Sequence, residues 1–474
     1  MKQFDKFYID GRWCEPVGKE SFELIDPATE LPYGRVALGA REDVDRAVAA
    51  ARKAFESFSQ TQKEQRIELL QNVVEEFIRR QDDLMSAVTQ EMGAPAALTA
   101  QTGTALQAFR QAIITLGDYS FEQMMADNIV RREPIGVCGL ISAWNWPLQL
   151  LCTKLGSALA AGCTVVVKPS EYTPVSALVL AEVFDAAGVP PGVFNLVNGD
   201  GPTVGEAISR HRGIDMVSFT GSTRAGVLVA QAAADTVKRV CQELGGKSAN
   251  IILPDADLEA AARFNVTRGF SNTGQSCHSP TRILVRDGQL ETFLNFVRRE
   301  AEKVRVGNPQ DANTTMGPVV NRAQFDRIQS YIEKGVQEGA RLIFGGPGRP
   351  ERLDRGYFIR PTVFADVTPD MTIAQEEIFG PVLSVITYRD IDEAIQIANG
   401  TCYGLGGYIF AGDLQAARKV GERMQAGRIF LNGAPSNNVA PMGGYKQSGN
   451  GREMGVFGLE EYLEVKAMIG FASS

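Results

Sequence analysis

Histidine is almost missing from this chain: His211 and His278 are the only two in 474 residues. A multi-histidine metal centre is therefore nearly excluded, and no metal is expected. A Ser-His-Asp triad would have to use one of these two, and no G-x-S-x-G elbow accompanies either. Cysteine is sparse and scattered: Cys14, Cys138, Cys152, Cys163, Cys241, Cys277 and Cys402. The number is odd and no pair forms C-x-x-C, so neither a disulfide framework nor a zinc site is expected. Positive charge is in deficit, with a net charge of -8. Nucleic acid and anionic membrane both call for a basic face, so neither is an expected partner. Long apolar runs are also lacking. The longest, such as Thr164 to Val167, have the length of a strand, far below the roughly 20 residues of a membrane helix. The opening MKQFDKFYIDGRW has no apolar stretch of the secretory kind, which makes the cytoplasm the expected location.

What is abundant is ordinary globular material, with 44% hydrophobic and 22% charged residues. A chain of this length exceeds one core, and two or three domains are expected. Short strands are predicted at Phe7 to Trp13 and Ser21 to Ile25. A helix follows over Glu42 to Ser59, where Val44, Ala47, Val48, Ala51 and Phe55 recur at helical spacing. A second is predicted from Gln62 to Met92 and a third after Pro95. From Gly136 strand and helix alternate with short turns: VCGLISAW, LCTKLGSALAAG, TVVVKPS, PVSALVLAEVFDAAG, VFNLVNG, DMVSFTG, RVCQELGG. A second alternation starts near Ser248. The fold class is α/β, with two doubly wound parallel sheets. The closing GLEEYLEVKAMIG reads as an exposed strand. It invites pairing either with another subunit or with the extended stretch near Ile129.

Several polar residues stand where such folds place chemistry. Cys277, in GFSNTGQSCHSPTR, has small polar neighbours that could leave its sulfur accessible. Taken alone, such a thiol is more often inert. Glu243 ends an apolar strand in QELGGKSANIIL. Burial there would raise its pKa and suit it to general-base work, while a solvated carboxylate beside Lys247 is the competing account. Lys168 and Glu171 follow the strand of VVVKPSEYTP and could meet a ribose or phosphate, or simply face solvent. FTGSTRAG is a strand, a turn and a helix start, able to receive a pyrophosphate. GDGPTVG has one residue too many for G-x-G-x-x-G. Each glycine motif is weak by itself.

Together these segments resemble the aldehyde dehydrogenase superfamily over essentially the whole chain. SAWNWP, VVVKPSEYTP, PGVFNLVNGDG, FTGSTRAG, ELGGKSANII, FSNTGQSC, EEIFGPVLSV and MGGYKQSGNGRE each match a family segment. The resemblance implies that Cys277 is the nucleophile, Glu243 the base, and Asn145 the oxyanion-hole amide. It assigns Lys168 and Glu171 to the adenosine ribose. Gly221, Ser222, Thr223 and Gly226 fall to the pyrophosphate turn, and Glu377 and Phe379 to the nicotinamide ribose and ring. Ser142, Trp144, Gly201 and Leu244 complete the cofactor-binding set. Glu453 matches a glutamate sometimes linked to proton relay. The implied domains are a Rossmann-like NAD-binding domain (1–119 and 136–244), a catalytic domain (245–445) and a small β oligomerisation element (120–135 and 446–474). NAD is the implied cofactor, with NADP possible: Glu171 would repel a 2′-phosphate, but Lys168 is close. A homodimer or homotetramer is implied.

The chain departs from the pattern at Trp146, often Phe, at Met442, often Phe, and at Thr153, often Trp. These and His278 would line the substrate tunnel. His278 could tune Cys277 or simply face the tunnel, and the motif requires no base there. The presence of Glu243 favours hydrolysis of a thioester over transfer to coenzyme A. The alternatives are a semialdehyde-specific or coenzyme A-acylating relative, and a non-enzymatic binding protein on the same fold.

Overall fold

The computed structural model describes residues 1–472. Its first sheet is built around β-branched strands that bury both faces. Thr164–Lys168 is buried at every position. Val165 and Val167 enter one core cluster and Val166 the other, which is the two-residue alternation of a strand covered on both sides. Five strands run parallel in the order Arg239–Glu243, Met216–Thr220, Val137–Ile141, Thr164–Lys168 and Phe194–Leu196. Phe7–Ile9 extends one edge antiparallel, and Gly449–Asn450 closes the other against Gln242 and Glu243. Helices Pro147–Ala161 and Val175–Ala186 cover one face, and Arg41–Phe58 the other.

The single helix predicted over Gln62 to Met92 is two, Lys63–Arg79 and Gln81–Met92. They meet at Arg80, whose guanidinium reaches Asp83 at 2.6 Å and Glu182 at 2.8 Å. The apolar spacing of Leu70, Val73, Phe77 and Leu84 continues across the break. With neither proline nor glycine at the joint, nothing in the pattern marks it.

The second sheet has seven strands, six of them parallel, with Arg341–Phe344 antiparallel at one edge. A third, three-stranded sheet joins Leu463–Met468 to Asn128–Pro134, and that strand to Glu122–Met125. Of the two pairings open to the terminal strand, the one within its own chain is made: Met468 stands opposite Ile129. Among the described residues no helix is long and apolar enough to cross a membrane.

In the first sheet the chain moves outward from Val137–Ile141 in one direction, then returns to add Met216–Thr220 on the other side. Ligands of open α/β sheets settle at such a reversal, beyond the carboxyl ends of the strands. Ser142, Asn145, Gly221 and Glu243 all lie there.

Candidate active site

The Cys277 loop follows helix Leu258–Phe270 and begins with three consecutive left-handed residues, Asn272, Thr273 and Gly274, at φ 53, 57 and 72°. That conformation is unfavourable for a β-branched threonine, at a cost on the order of 1–3 kcal/mol. Surrounding contacts hold it. Thr273 Oγ1 donates to the Gly317 carbonyl at 3.1 Å. Asn272 Nδ2 donates to the Asn145 carbonyl at 2.8 Å, and Gln101 Nε2 donates to Asn272 Oδ1 at 3.1 Å. Gln275 Oε1 accepts from the Val320 N–H at 3.0 Å. Gly274 lies so close to the backbone of Gly380 that a Cβ would stand 2.2 Å from it. The loop of Cys277 is thereby pinned to the loop of Glu377 and Phe379.

Cys277 lines two cavities. One, of about 130 Å³, also contains Trp144, Asn145, Ser222, Leu244, Glu377 and Phe379. The other, of about 430 Å³, contains Trp146, Glu243, His278, Met442 and Glu453. Leu150 and Thr220 are common to both. The polar loop thus leaves the sulfur reachable from two sides.

On the larger side, Glu243 is the last residue of its strand and is buried, with neither carboxylate oxygen partnered. Burial, and then the nearby Glu453 carboxylate, push its pKa well above the usual carboxylate range. Glu453 is itself held by Lys154 at 2.5 Å, and Lys154 also donates to Ser218 Oγ at 2.9 Å. Burial, with Glu377 and Glu243 adding to it, pushes the Cys277 thiol up to about 12. Asn145 is buried, and its Nδ2 donates to the Gln275 carbonyl at 3.0 Å. Trp146 Nε1 donates to Ser276 Oγ at 2.9 Å. His278 lines this cavity, and its Nδ1 lies 3.9 Å from Cys277 Sγ.

On the smaller side, Phe379 meets Trp144 edge-on, with ring centroids 5.2 Å apart. Glu377 Oε1 accepts the Gly246 N–H at 3.0 Å, and burial pushes its pKa up to about 7. Gly245 allows this approach, since a Cβ there would stand 2.2 Å from Glu377 Oε2. Ser222 caps helix Thr223–Ala233, accepting the Ala225 N–H. Gly226 packs on Leu244, where a Cβ would meet Cδ2 at 2.6 Å. Ser142 is buried, with its hydroxyl unpartnered.

Other predicted residues lie outside both cavity walls. Lys168 Nζ donates to the carbonyls of Pro169 and Gly199 at 2.8 and 2.7 Å and stands 3.6 Å from Glu171. Gly201 is exposed at the start of a wide turn capped by Asp200. Thr223 Oγ1 donates to the Gln447 carbonyl at 3.1 Å. Arg268 and Arg428 also line the larger cavity, and they, Lys154 and Gln101 belong to none of the motifs. Lys154 had left one sign, a lysine inside the apolar helix LCTKLGSALAAG.

Comparison with known proteins gives the family. Residues 13–468 match the model of the aldehyde dehydrogenase family. A 3-succinoylsemialdehyde-pyridine dehydrogenase from a Pseudomonas species is 52% identical, covering 100% of both chains. The structure of an aldehyde dehydrogenase C mutant from Pseudomonas syringae, in complex with NAD+ and octanal, superposes with a TM-score of 0.98. It is 51% identical, over 99% of this chain and 97% of that one. Aldehyde dehydrogenase from Mycobacterium tuberculosis, complexed with NAD+, gives 0.96 at 40% identity, over 99% and 98%. A family match across nearly the whole chain and a relative this similar over its full length leave one assignment: the chain belongs to the aldehyde dehydrogenase family.

Proposed function

We propose that this chain oxidises an aldehyde to its carboxylic acid, with NAD as oxidant, through a thioester on Cys277. The observation that carries the reading is the shared position of Cys277 in two cavities, one holding Glu243, the other Glu377 and Phe379. The Cys277 thiolate adds to the aldehyde carbon. Asn145 Nδ2 and the Cys277 backbone N–H donate to the oxyanion that forms. Bound NAD supplies the acceptor for the hydride, and the acyl group is then held on sulfur. Glu243, unpartnered and kept basic by burial, takes a proton from water, which releases the acid.

The smaller cavity fits the cofactor. It brings the helix start at Ser222, the Gly245 backbone against Glu377, and the Trp144–Phe379 ring pair to one crevice. Glu377 and Phe379 hold the nicotinamide end. Gly221, Ser222 and Gly226 shape the pyrophosphate turn, Gly201, Thr223 and Leu244 complete the cofactor-binding set, and Lys168 and Glu171 hold the adenosine ribose. The Glu171 carboxylate favours NAD over NADP. Trp146, His278 and Met442 wall the aldehyde's cavity, and Glu453 supports the base. Residues 1–119 and 136–244 form the NAD-binding domain, and 245–445 the catalytic domain. Segments 120–135 and 446–472 form a bridging element of a cytoplasmic homodimer or homotetramer, and the last two residues assigned to it lie outside the described residues.

NADH formation with a panel of aliphatic and aromatic aldehydes, wild type beside Cys277→Ser, tests the reading. Turnover lost in the variant supports it. Turnover retained by Cys277→Ser removes the thioester.

A further inference from the structure

The chemistry above asks a buried thiol to ionise between two carboxylates. Glu377 and Glu243 both oppose a negative charge on Cys277, and burial opposes it further. The backbone N–H groups of Cys277 and His278 favour the thiolate. Arg268, Arg428 and Tyr408 stand around the neighbouring His278. Of these, Arg268 makes the contact that decides what His278 can offer.

Arg268 Nη2 lies 2.7 Å from His278 Nε2. A guanidinium has donors only and keeps its proton at all working pH values. The Arg268 N–H therefore donates, and Nε2 of His278 accepts. Burial, then Arg268 and Arg428, push the imidazole pKa down to about 3, so the ring is neutral. A neutral imidazole carries one N–H. With Nε2 accepting, that proton sits on Nδ1, the atom 3.9 Å from Cys277 Sγ. The ring is also held in place. It stacks near Phe430 at 6.4 Å, and its backbone carbonyl accepts from Tyr408 Oη at 2.8 Å.

We infer that Arg268 fixes the tautomer of His278, so that the imidazole presents an Nδ1–H donor to the sulfur of Cys277 and stabilises its thiolate. Among the described residues His278 is the side-chain donor in hydrogen-bond reach of that sulfur. No proton is transferred: the ring stays neutral throughout and acts neither as base nor as imidazolium partner. His278 touches the reacting atom, and Arg268 is a positioning residue acting through it. The inference rests on Cys277 being the nucleophile, but its test needs neither aldehyde nor NAD.

His211 serves as an internal reference. Its Nδ1 accepts the Gly213 N–H at 2.8 Å, and its Nε2 lies 3.2 Å from Asp45. The chain's two histidines should therefore hold opposite neutral tautomers. Solid-state ¹⁵N NMR of histidine-labelled wild-type enzyme reads them directly. One ring with an Nδ1 proton at neutral pH, lost as a distinct species in Arg268→Met, is the expected result. Two rings with Nε2 protons would overturn the inference without any variant of the active site.

The second measurement is the rate of Cys277 alkylation by iodoacetamide against pH, followed on the Cys277 peptide by mass spectrometry. Hydrogen bonds to charged groups contribute enough that His278→Phe should slow alkylation at neutral pH about tenfold and move the inflection up by about one pH unit. His278→Asn, with an amide N–H close to the position of Nδ1, should recover most of the rate. In Arg268→Met burial still keeps the imidazole neutral, but Nε2 is free to take the proton, so alkylation should slow toward the His278→Phe rate. An unchanged rate and inflection in His278→Phe would overturn the inference. If Cys277→Ser retains turnover while the alkylation shifts appear as expected, the thioester reading fails and the tautomer assignment stands.

Discussion

Lys154 Nζ and Glu453 Oε1 lie 2.5 Å apart in the interior, 299 residues apart in the chain. The pair joins helix Pro147–Ala161 to the segment that carries Gly449–Asn450 onto the first sheet. Removing one partner strands the other charge out of water, which typically costs about 3–5 kcal/mol, whereas replacing both can be nearly neutral. Lys154→Met should therefore lower stability by about that amount, and Lys154→Met with Glu453→Leu should recover most of it. Denaturant unfolding of the three proteins measures both. Equal losses in the single and double variants would show that the pair is not the cause.

Glu453 also raises the pKa of Glu243. A general base works as its carboxylate, so activity should climb with pH through the Glu243 pKa. Glu453→Gln removes a neighbouring negative charge and eases that ionisation. The rising limb of the rate of acid release should move to lower pH, seen as steady-state turnover after an NADH burst. A limb that stays in place would separate the two glutamates.

Asn145→Ala removes one oxyanion donor. Turnover should fall about 100- to 1000-fold, with the cofactor still bound. A steady-state comparison and an NAD titration check the two halves. Unchanged turnover would reassign the oxyanion hole.

Much of this site was legible because its residues sit in short contiguous segments. Cys277 and Glu243 line one cavity, and Glu377 and Phe379 line the other with Cys277. The sheets were legible too, since buried parallel strands such as TVVVK write themselves as apolar runs. Lys154 and Arg268 were not. Each sits in a helix whose pattern gives no hint of its partner, and each is defined by a contact made only on folding. The break at Arg80 was hidden for the opposite reason, because the apolar spacing runs straight through it.

Gly245→Ala tests how Glu377 is held. The added Cβ would overlap Glu377 Oε2 at 2.2 Å, so the carboxylate must leave its bond to the Gly246 N–H. The KM for NAD should rise by about tenfold, the equivalent of about 1.4 kcal/mol. An unaltered KM would show that Glu377 does not hold the cofactor.

Glu91 offers a test of stability alone. It is fully buried on helix Gln81–Met92 and accepts from the N–H groups of Val175 and Ser176 at 2.7 and 3.2 Å. Burial nevertheless pushes its pKa up to about 8. In the unfolded chain it returns to about 4.3. Between these values the folded protein keeps a proton that the unfolded one has released, so this group's contribution falls as pH rises. Relative to Glu91→Gln, wild type should lose up to about 1.4 kcal/mol per pH unit across that window. Parallel denaturant curves at several pH values measure it, and a constant difference would rule the titration out.

The sulfur of Cys277, reached from two cavities that meet only at Leu150, Thr220 and Cys277 itself, has a kinetic consequence. With oxidant and aldehyde in the cavities proposed for them, each would have its own entrance, and neither would wait for the other to depart. A dead-end dinucleotide should depress the maximal rate against varied aldehyde instead of competing with it. A blocker lodged by Met442 and Trp146 should do the same against varied NAD. Changes to the walls around Met442 can then retune which aldehyde is accepted while leaving the dinucleotide's doorway as it was.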